Sequence, residues 1–136
     1  MIEHSTTLRV RYAETDRMGY VYYGNYPSYF ELGRVEWLRN LGIRYKDMED
    51  SGTMLPVLHL EVKYIRPAKY DDLLRLVTRV SLLPSSRIHF EHELYNEEDT
   101  LITKGAVVLV FVNTSTGKPC GAPTYFLEKV QSFFKE

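Results

Sequence analysis

The run from Tyr26 to Leu41 constrains this chain more than any other. Tyr26, Phe30, Gly33, Trp37 and Leu41 recur at steps of three or four, and Leu38 widens the stripe. That spacing predicts one long amphipathic α-helix with a single face to bury. Pro27 falls where a first helical turn tolerates proline, and Gly42 supplies a C-terminal stop. Gly33, inside the stripe, marks either a close approach by a neighbouring element or a tolerated interior glycine. Most of the rest of the chain alternates instead, so the cover for the helix has to come from a sheet.

Thr7 to Tyr12 alternates, with Leu8, Val10 and Tyr12 on one face, and predicts a first strand. After the helix, Ile43 to Met54 is a polar connection with weak helical character. Leu58, Leu60, Val62 and Tyr64 then alternate with His59, Glu61 and Lys63, until Pro67 ends the strand or sits at its edge. Leu74, Leu76, Thr78, Val80 and Leu82 predict a third strand, and Pro84-Ser-Ser a turn. Ile88, Phe90, His92 and Leu94 face one way in a fourth. Asn96 to Asp99 reads as a hairpin connection. Thr103 to Val112 is apolar on both faces near its end, as a covered central strand would be. After a loop, Phe126, Leu127, Val130, Phe133 and Phe134 give a final short helix an apolar face. Short turns imply antiparallel neighbours. The expectation is therefore an α+β domain, residues 1–136, with an antiparallel sheet of about five strands curved around one long helix.

The totals narrow the function classes. With 136 residues, 44% of them hydrophobic, the chain suits a single core. A net charge of −1 gives no electrostatic reason to expect nucleic acid or an anionic membrane. One cysteine, Cys120, excludes an internal disulfide framework and suits a reducing compartment. No apolar run approaches the roughly 20 residues of a membrane span, and the first residues lack a signal-peptide pattern. The expected location is the cytoplasm.

The chemistry concentrates between Glu14 and Pro27. Asp16 lies a few residues ahead of the helix start, where backbone N–H groups lack intrahelical partners. Alone, Asp16 reads equally as a turn-capping aspartate. Its company favours catalysis: Gly19 lets the chain turn back, Val21 and Tyr22 bury part of the segment, and the helix follows at once. A carboxylate there can attack an acyl group or activate water, while the Tyr23 amide receives a developing oxyanion. Water or a side-chain cap is the ordinary fate of such an amide. Tyr20, Tyr22, Tyr23 and Tyr26 make this opening rich in aromatic surface.

Other residues offer less. Glu31, on the helix, reads as a solvated or interface charge and is the substitute carboxylate if Asp16 is not catalytic. His59, His89 and His92 lie on a strand pattern, and none has metal-ligand spacing, so no metal is expected. Cys120 has no histidine near it in sequence. Ser85 and Ser86 lack a nucleophile elbow, which argues against serine-triad hydrolysis. Arg66, Lys69 and Arg87 sit at strand ends or turns. Singly they read as surface charge; together they are able to clamp the phosphates of a nucleotide-tailed carrier. No glycine-rich phosphate loop or dinucleotide fingerprint is present.

These residues carry a resemblance. Asp16-Arg-Met-Gly19-Tyr-Val21-Tyr-Tyr23-Gly-Asn25-Tyr26 resembles the Asp-x-x-Gly-x-Val-aromatic-aromatic/His-x-Asn-Tyr signature of the 4-hydroxybenzoyl-CoA thioesterase family. Tyr64-Ile-Arg-Pro67-Ala-Lys-Tyr-Asp71-Asp72 is similar to a second segment of its broad acyl-CoA thioesterase branch. The resemblance covers about residues 7 to 125. It implies a hotdog fold, dimers with sheets joined edge to edge, often paired into tetramers, and an active site at the subunit interface. It implies that Asp16 is the catalytic carboxylate and the Tyr23 amide the oxyanion donor. Gly19, Val21, Tyr22, Asn25 and Tyr26 would border an acyl-CoA substrate, and Arg66, Lys69 and Arg87 align only roughly with its CoA-binding positions. Neither metal nor redox cofactor is implied. Two other readings share the fold: a non-catalytic acyl-binding or assembly module, and a thioesterase acting on acyl carrier protein. A hotdog hydratase usually sets a histidine beside the carboxylate, and the opening motif holds none.

Overall fold

The computed structural model describes residues 1–134. In chain order the elements are β1 (Ile2–Arg9), α1 (Tyr26–Asn40), α2 (Tyr45–Asp50), β2 (Thr53–Met54), β3 (Val57–Tyr64), β4 (Leu73–Val80), β5 (Arg87–Tyr95), β6 (Leu101–Val110), β7 (Val112–Asn113) and α3 (Thr124–Val130). Short 3-10 turns at Tyr12–Glu14 and Tyr23–Asn25 lead into α1, and another at Gln131–Phe134 follows α3.

Five strands make one antiparallel sheet in the order β1-β4-β5-β6-β3, and β2 pairs with β7 in a small separate ribbon. The period-two patterns decide what each strand turns inward. On β5, Ile88, Phe90, His92 and Leu94 are buried, while His89 and Glu91 are exposed. On β4, Leu76 and Thr78 stand opposite Leu94 and His92. The helical stripe lies against this face: Tyr26, Tyr29, Phe30, Gly33, Trp37 and Leu38 are all buried. Trp37 packs edge-on to Phe90 at 5.2 Å, and its Nε1 donates to the Ile2 carbonyl at 3.2 Å. The antiparallel sheet around a central helix is the layout that the resemblance implies.

Three expectations need correction. Tyr12 does not continue a strand face: β1 ends at Arg9 and Tyr12 is 78% exposed. The chain leaves the sheet because Arg11 donates its backbone N–H and its guanidinium to Glu14, closing a tight turn. Leu82 lies beyond the end of β4 and is exposed. The expected central strand, β6, is second from the edge, and β5 holds the centre. The outward residues of β6, Ala106, Val108 and Val110, are only half-buried because no layer of the described chain covers that face.

Beyond β6 lies β3, an edge strand with an irregularity between Val57 and His59. Val57, Leu58, Leu60 and Tyr64 on it are all exposed. Among the described residues, no helix is long and apolar enough to cross a membrane, and no His, Cys, Asp and Glu residues cluster as a metal site would require.

Candidate active site

The segment between β1 and α1 folds back on itself as a small hairpin. The Glu14 carbonyl accepts from the Tyr22 amide at 2.9 Å, Thr15 bridges to Val21, and the Asp16 amide donates to the Tyr20 carbonyl at 2.8 Å. Gly19 closes the tip at φ +82°. A side chain would strain that conformation. No atom would meet a Cβ added there within 4 Å, so the constraint is backbone angle and not space. The hairpin leans on the segment after β3: the Val21 amide donates to the Ala68 carbonyl at 2.8 Å, and Tyr20 bridges to Lys69.

Asp16 occupies this hairpin half-buried. Its Oδ1 accepts from the Met18 amide at 2.9 Å and from the Tyr20 amide at 3.3 Å. The turn-capping role takes only one oxygen of this side chain: Oδ1 fixes the turn, and Oδ2 takes no hydrogen bond from the described residues. That leaves Oδ2 available to a ligand.

Tyr23 opens the 3-10 turn that feeds α1. No loop or turn contact among the described residues takes its N–H, and the carbonyl that a 3-10 bond would use, that of Tyr20, already accepts from Asp16. An amide free at the start of a helix is a ready site for an anionic group. On its other side the Tyr23 carbonyl accepts from the Tyr64 hydroxyl at 3.2 Å.

Asp16, Val21, Tyr23 and Tyr26 line one open pocket of about 260 Å³ together with Tyr64 and Arg66. Four tyrosines, Tyr20, Tyr23, Tyr26 and Tyr64, contribute to its walls. Tyr64 meets Tyr26 edge-on at 5.5 Å and Tyr23 at 6.3 Å. Burial holds the Tyr26 hydroxyl above the usual tyrosine range, which keeps it a neutral donor.

The remaining expected residues lie around the pocket, not in its wall. Gly19 shapes the turn. Tyr22 is half-exposed and lies over Gly24, where a Cβ would stand 2.6 Å from its ring. Asn25 turns away from the pocket, and its Nδ2 donates to the Glu14 carbonyl at 2.8 Å. Lys69 flanks the hairpin through its backbone, with its amide donating to Asp72 at 2.8 Å. Arg87 is not brought to the site within one chain. It pairs with Val110 at the far end of β6, whereas the pocket's Tyr64 pairs with Thr103 near the start of that strand. Most of the length of β6 therefore separates Arg87 from the pocket. Glu31 lines a different cavity, of about 330 Å³, with Arg34, Val35 and Val57.

Two residues at the site were not among the expected site residues. Tyr64 reaches the pocket by a long-range contact that no local pattern announces. Glu14 has a local signal, an arginine three residues before it, matching a turn closed by reciprocal hydrogen bonds.

Comparison with known proteins places residues 10–130 within the family described as the Thioesterase-like superfamily. The acyl-CoA thioesterase YbgC of Haemophilus influenzae is 33% identical over 120 residues, spanning 88% of each chain. The acyl-CoA thioester hydrolase YbgC of Escherichia coli O157:H7 is 29% identical over 116 residues, 85% of this chain and 87% of that one. Among solved structures, a DHNA-CoA thioesterase from Staphylococcus aureus superimposes with a TM-score of 0.91 at 34% identity, covering 98% of this chain and 90% of that one.

Proposed function

The chain belongs to the thioesterase-like superfamily and has its hotdog fold, and from that premise we propose that this enzyme hydrolyses acyl-CoA to free CoA and a carboxylic acid. Asp16 and the Tyr23 amide carry the reaction. The thioester carbonyl lies against the amide at the head of α1, whose dipole favours the developing negative charge. Asp16 Oδ2 either attacks the carbonyl carbon, to give an anhydride that water then opens, or takes a proton from the attacking water. In both routes the thiolate of CoA leaves. Val21 and Tyr26 border the acyl group, with Gly19, Tyr22 and Asn25 shaping the segment beside it. Arg66 and Lys69 face the carrier's phosphates.

One observation carries the reading: a half-buried carboxylate and Tyr23, whose helix-start amide takes no loop or turn contact among the described residues, line one pocket. The names of the relatives support CoA as carrier, and the Staphylococcus aureus structure supports including an aromatic acyl group among the substrates. The test is free-thiol release over a panel of aliphatic and aromatic acyl-CoAs and one acyl carrier protein thioester, with Asp16→Asn and Asp16→Ala beside the parent protein. Binding without release would leave a non-catalytic acyl-binding module instead.

The exposed β3 edge supports a homodimer, or a tetramer built from such dimers. Unpaired edges invite pairing, and a two-fold interface uses the same strand twice. Antiparallel pairing of two β3 strands sets the Val57 end of one beside the Tyr64 end of the other. The pocket of one copy then faces the end of the sheet that holds the partner's Arg87, which accounts for the separation of Arg87 from Asp16 within one chain.

A further inference from the structure

Glu14 is a heavily hydrogen-bonded carboxylate, and the chemistry above does not use it. Its Oε1 accepts from the Arg11 amide at 2.8 Å and from the Tyr29 hydroxyl at 3.0 Å. Its Oε2 accepts from Arg11 Nε at 3.2 Å and Nη2 at 3.1 Å. Its carbonyl accepts from Asn25 Nδ2 at 2.8 Å and from the Tyr22 amide at 2.9 Å. The side chain is 17% exposed, against 81% for Arg11.

Resting on the thioesterase reading, we propose that Glu14 is a positioning residue. Its carboxylate and its carbonyl bind the Asp16 hairpin to the first turns of α1, and so fix the gap between Asp16 and the Tyr23 amide.

The topology gives the reason. Asp16 rides on one arm of the hairpin, and the Tyr23 amide continues the other. The other ties of the hairpin, Val21 to Ala68 and Tyr20 to Lys69, run to the segment after β3 and not to the helix. The hydrogen bonds between the Asp16 arm and the head of α1 pass through Glu14: its side chain to Tyr29, its carbonyl to Asn25 at the helix start. Tyr29 is itself held by burial and by an edge-on contact with Tyr26 at 5.8 Å, so the anchor is rigid. Burial pushes the Glu14 carboxyl up, but hydrogen bonds from Arg11 and Tyr29 outweigh it and hold the group below the usual range. Burial and the Glu14 charge in turn push the Tyr29 hydroxyl well up. The proton thus stays on Tyr29, and the bond is a charge-assisted one between a fixed donor and a fixed anion. Both carboxylate oxygens are occupied, and Glu14 lies outside the pocket wall, so it is not itself a base.

Misplacing reacting groups by about 1 Å costs on the order of 100-fold in rate. Tyr29→Phe removes one donor and keeps the ring. At a temperature where the variant is folded, kcat should fall at least about tenfold, with KM for acyl-CoA within about twofold. Glu14→Ala should fall further, and Glu14→Gln, which keeps an acceptor for Tyr29, should retain more activity than Glu14→Ala. The Tyr29→Phe/Glu14→Ala double variant should be no worse than Glu14→Ala alone, since the one bond that Tyr29→Phe breaks is already lost in Glu14→Ala. An activity-free readout separates this inference from the thioesterase reading. Amide hydrogen exchange at Met18 and Tyr20, the donors to Asp16, should quicken at least about tenfold in Tyr29→Phe, while β5 amides stay protected. A parent protein that releases no thiol removes the thioesterase reading, and exchange still judges the clamp. Unchanged exchange at Met18 and Tyr20, or an unchanged kcat in folded Tyr29→Phe, overturns it.

Discussion

Gly33 of α1 lies so close to Thr78 of β4 that a Cβ on the glycine would stand 2.5 Å from the threonine hydroxyl. Leu76 Cδ2 would be 2.7 Å away, and both neighbours are buried. Gly105 stands in the same relation to Phe30, well inside contact distance, on the strand that passes beneath the helix. These two glycines let α1 settle into the sheet. Gly33→Ala gains about 1 kcal/mol of helix propensity and loses about 1–3 kcal/mol to overpacking. The expected net loss is up to about 2 kcal/mol, read as a fall in melting temperature of roughly 3–5 °C per kcal/mol. A Gly33→Ala protein that melts above the parent would show that the helix has room to move.

The Thr78 hydroxyl is also the neighbour of His92, whose Nδ1 lies 3.0 Å from it. His92 is stacked on Phe30 at 4.7 Å, and its Nε2 has no hydrogen-bond partner among the described residues. Burial, with the positive charge of Arg34 adding to it, lowers its pKa to about 3. Above about pH 6.5 the ring is neutral in folded and unfolded chains, and it contributes no pH dependence. As the pH falls below that value the unfolded chain takes up a proton that the folded one refuses. Stability therefore declines by up to about 1.4 kcal/mol per pH unit, until the folded ring titrates near pH 3. Urea unfolding at pH 7 and pH 5 should differ by about 2 kcal/mol from this group alone, before most carboxylates titrate. None of the other three histidines is buried. In His92→Gln the decline should flatten; an equal decline would assign it to other groups.

The exposed edge yields a prediction about assembly. Leu60 on β3 is 41% exposed in the single chain and points to the helix side of the sheet, opposite Val107. If two β3 edges pair, Leu60→Lys brings a charge near its own symmetry mate and opposes pairing. Light scattering should give a dimeric or tetrameric mass for the parent and a shift toward monomer for the variant. A parent and variant of equal mass would place the interface elsewhere.

Removing the Tyr23 amide tests its proposed role as oxyanion donor. The backbone of Tyr22 is not helical: its ψ is extended, as a residue before proline requires. Tyr23→Pro deletes the N–H, and Tyr23→Ala deletes only the ring. With Tyr23→Ala as reference, Tyr23→Pro should lose about 10²–10³ in kcat. Equal rates in the two variants would mean that another group receives the oxyanion.

How much of this is legible in the sequence follows from the range of the interactions. The helix α1 is readable because Phe30, Trp37 and Leu38 declare a helical face within the segment itself. Strand β5 is readable because Ile88, Phe90, His92 and Leu94 alternate without exception. Asp16, Gly19 and Tyr23 stand out as one short motif. The place of β6 in the sheet does not, since strand order is set by long-range pairing and not by the apolar character of Ala106 to Val110. The motif groups Asn25 with the substrate, yet its amide holds the Glu14 carbonyl. Nothing in the identity of an asparagine says which of two nearby tasks it takes. Tyr64 and Tyr29 depend likewise on contacts across 41 and 15 residues of sequence.

The most direct measurement is single-turnover thiol release by Asp16→Asn on the best acyl-CoA of the panel, against the parent protein at pH 7. The substitution keeps the Oδ1 acceptor that binds the Met18 and Tyr20 amides, so the hairpin should stand while the oxygen proposed to react is replaced. Loss of a nucleophile or general base should slow release by roughly 10²–10⁴-fold, with substrate binding retained. Parent-like release by Asp16→Asn would contradict the assignment of the chemistry to this carboxylate.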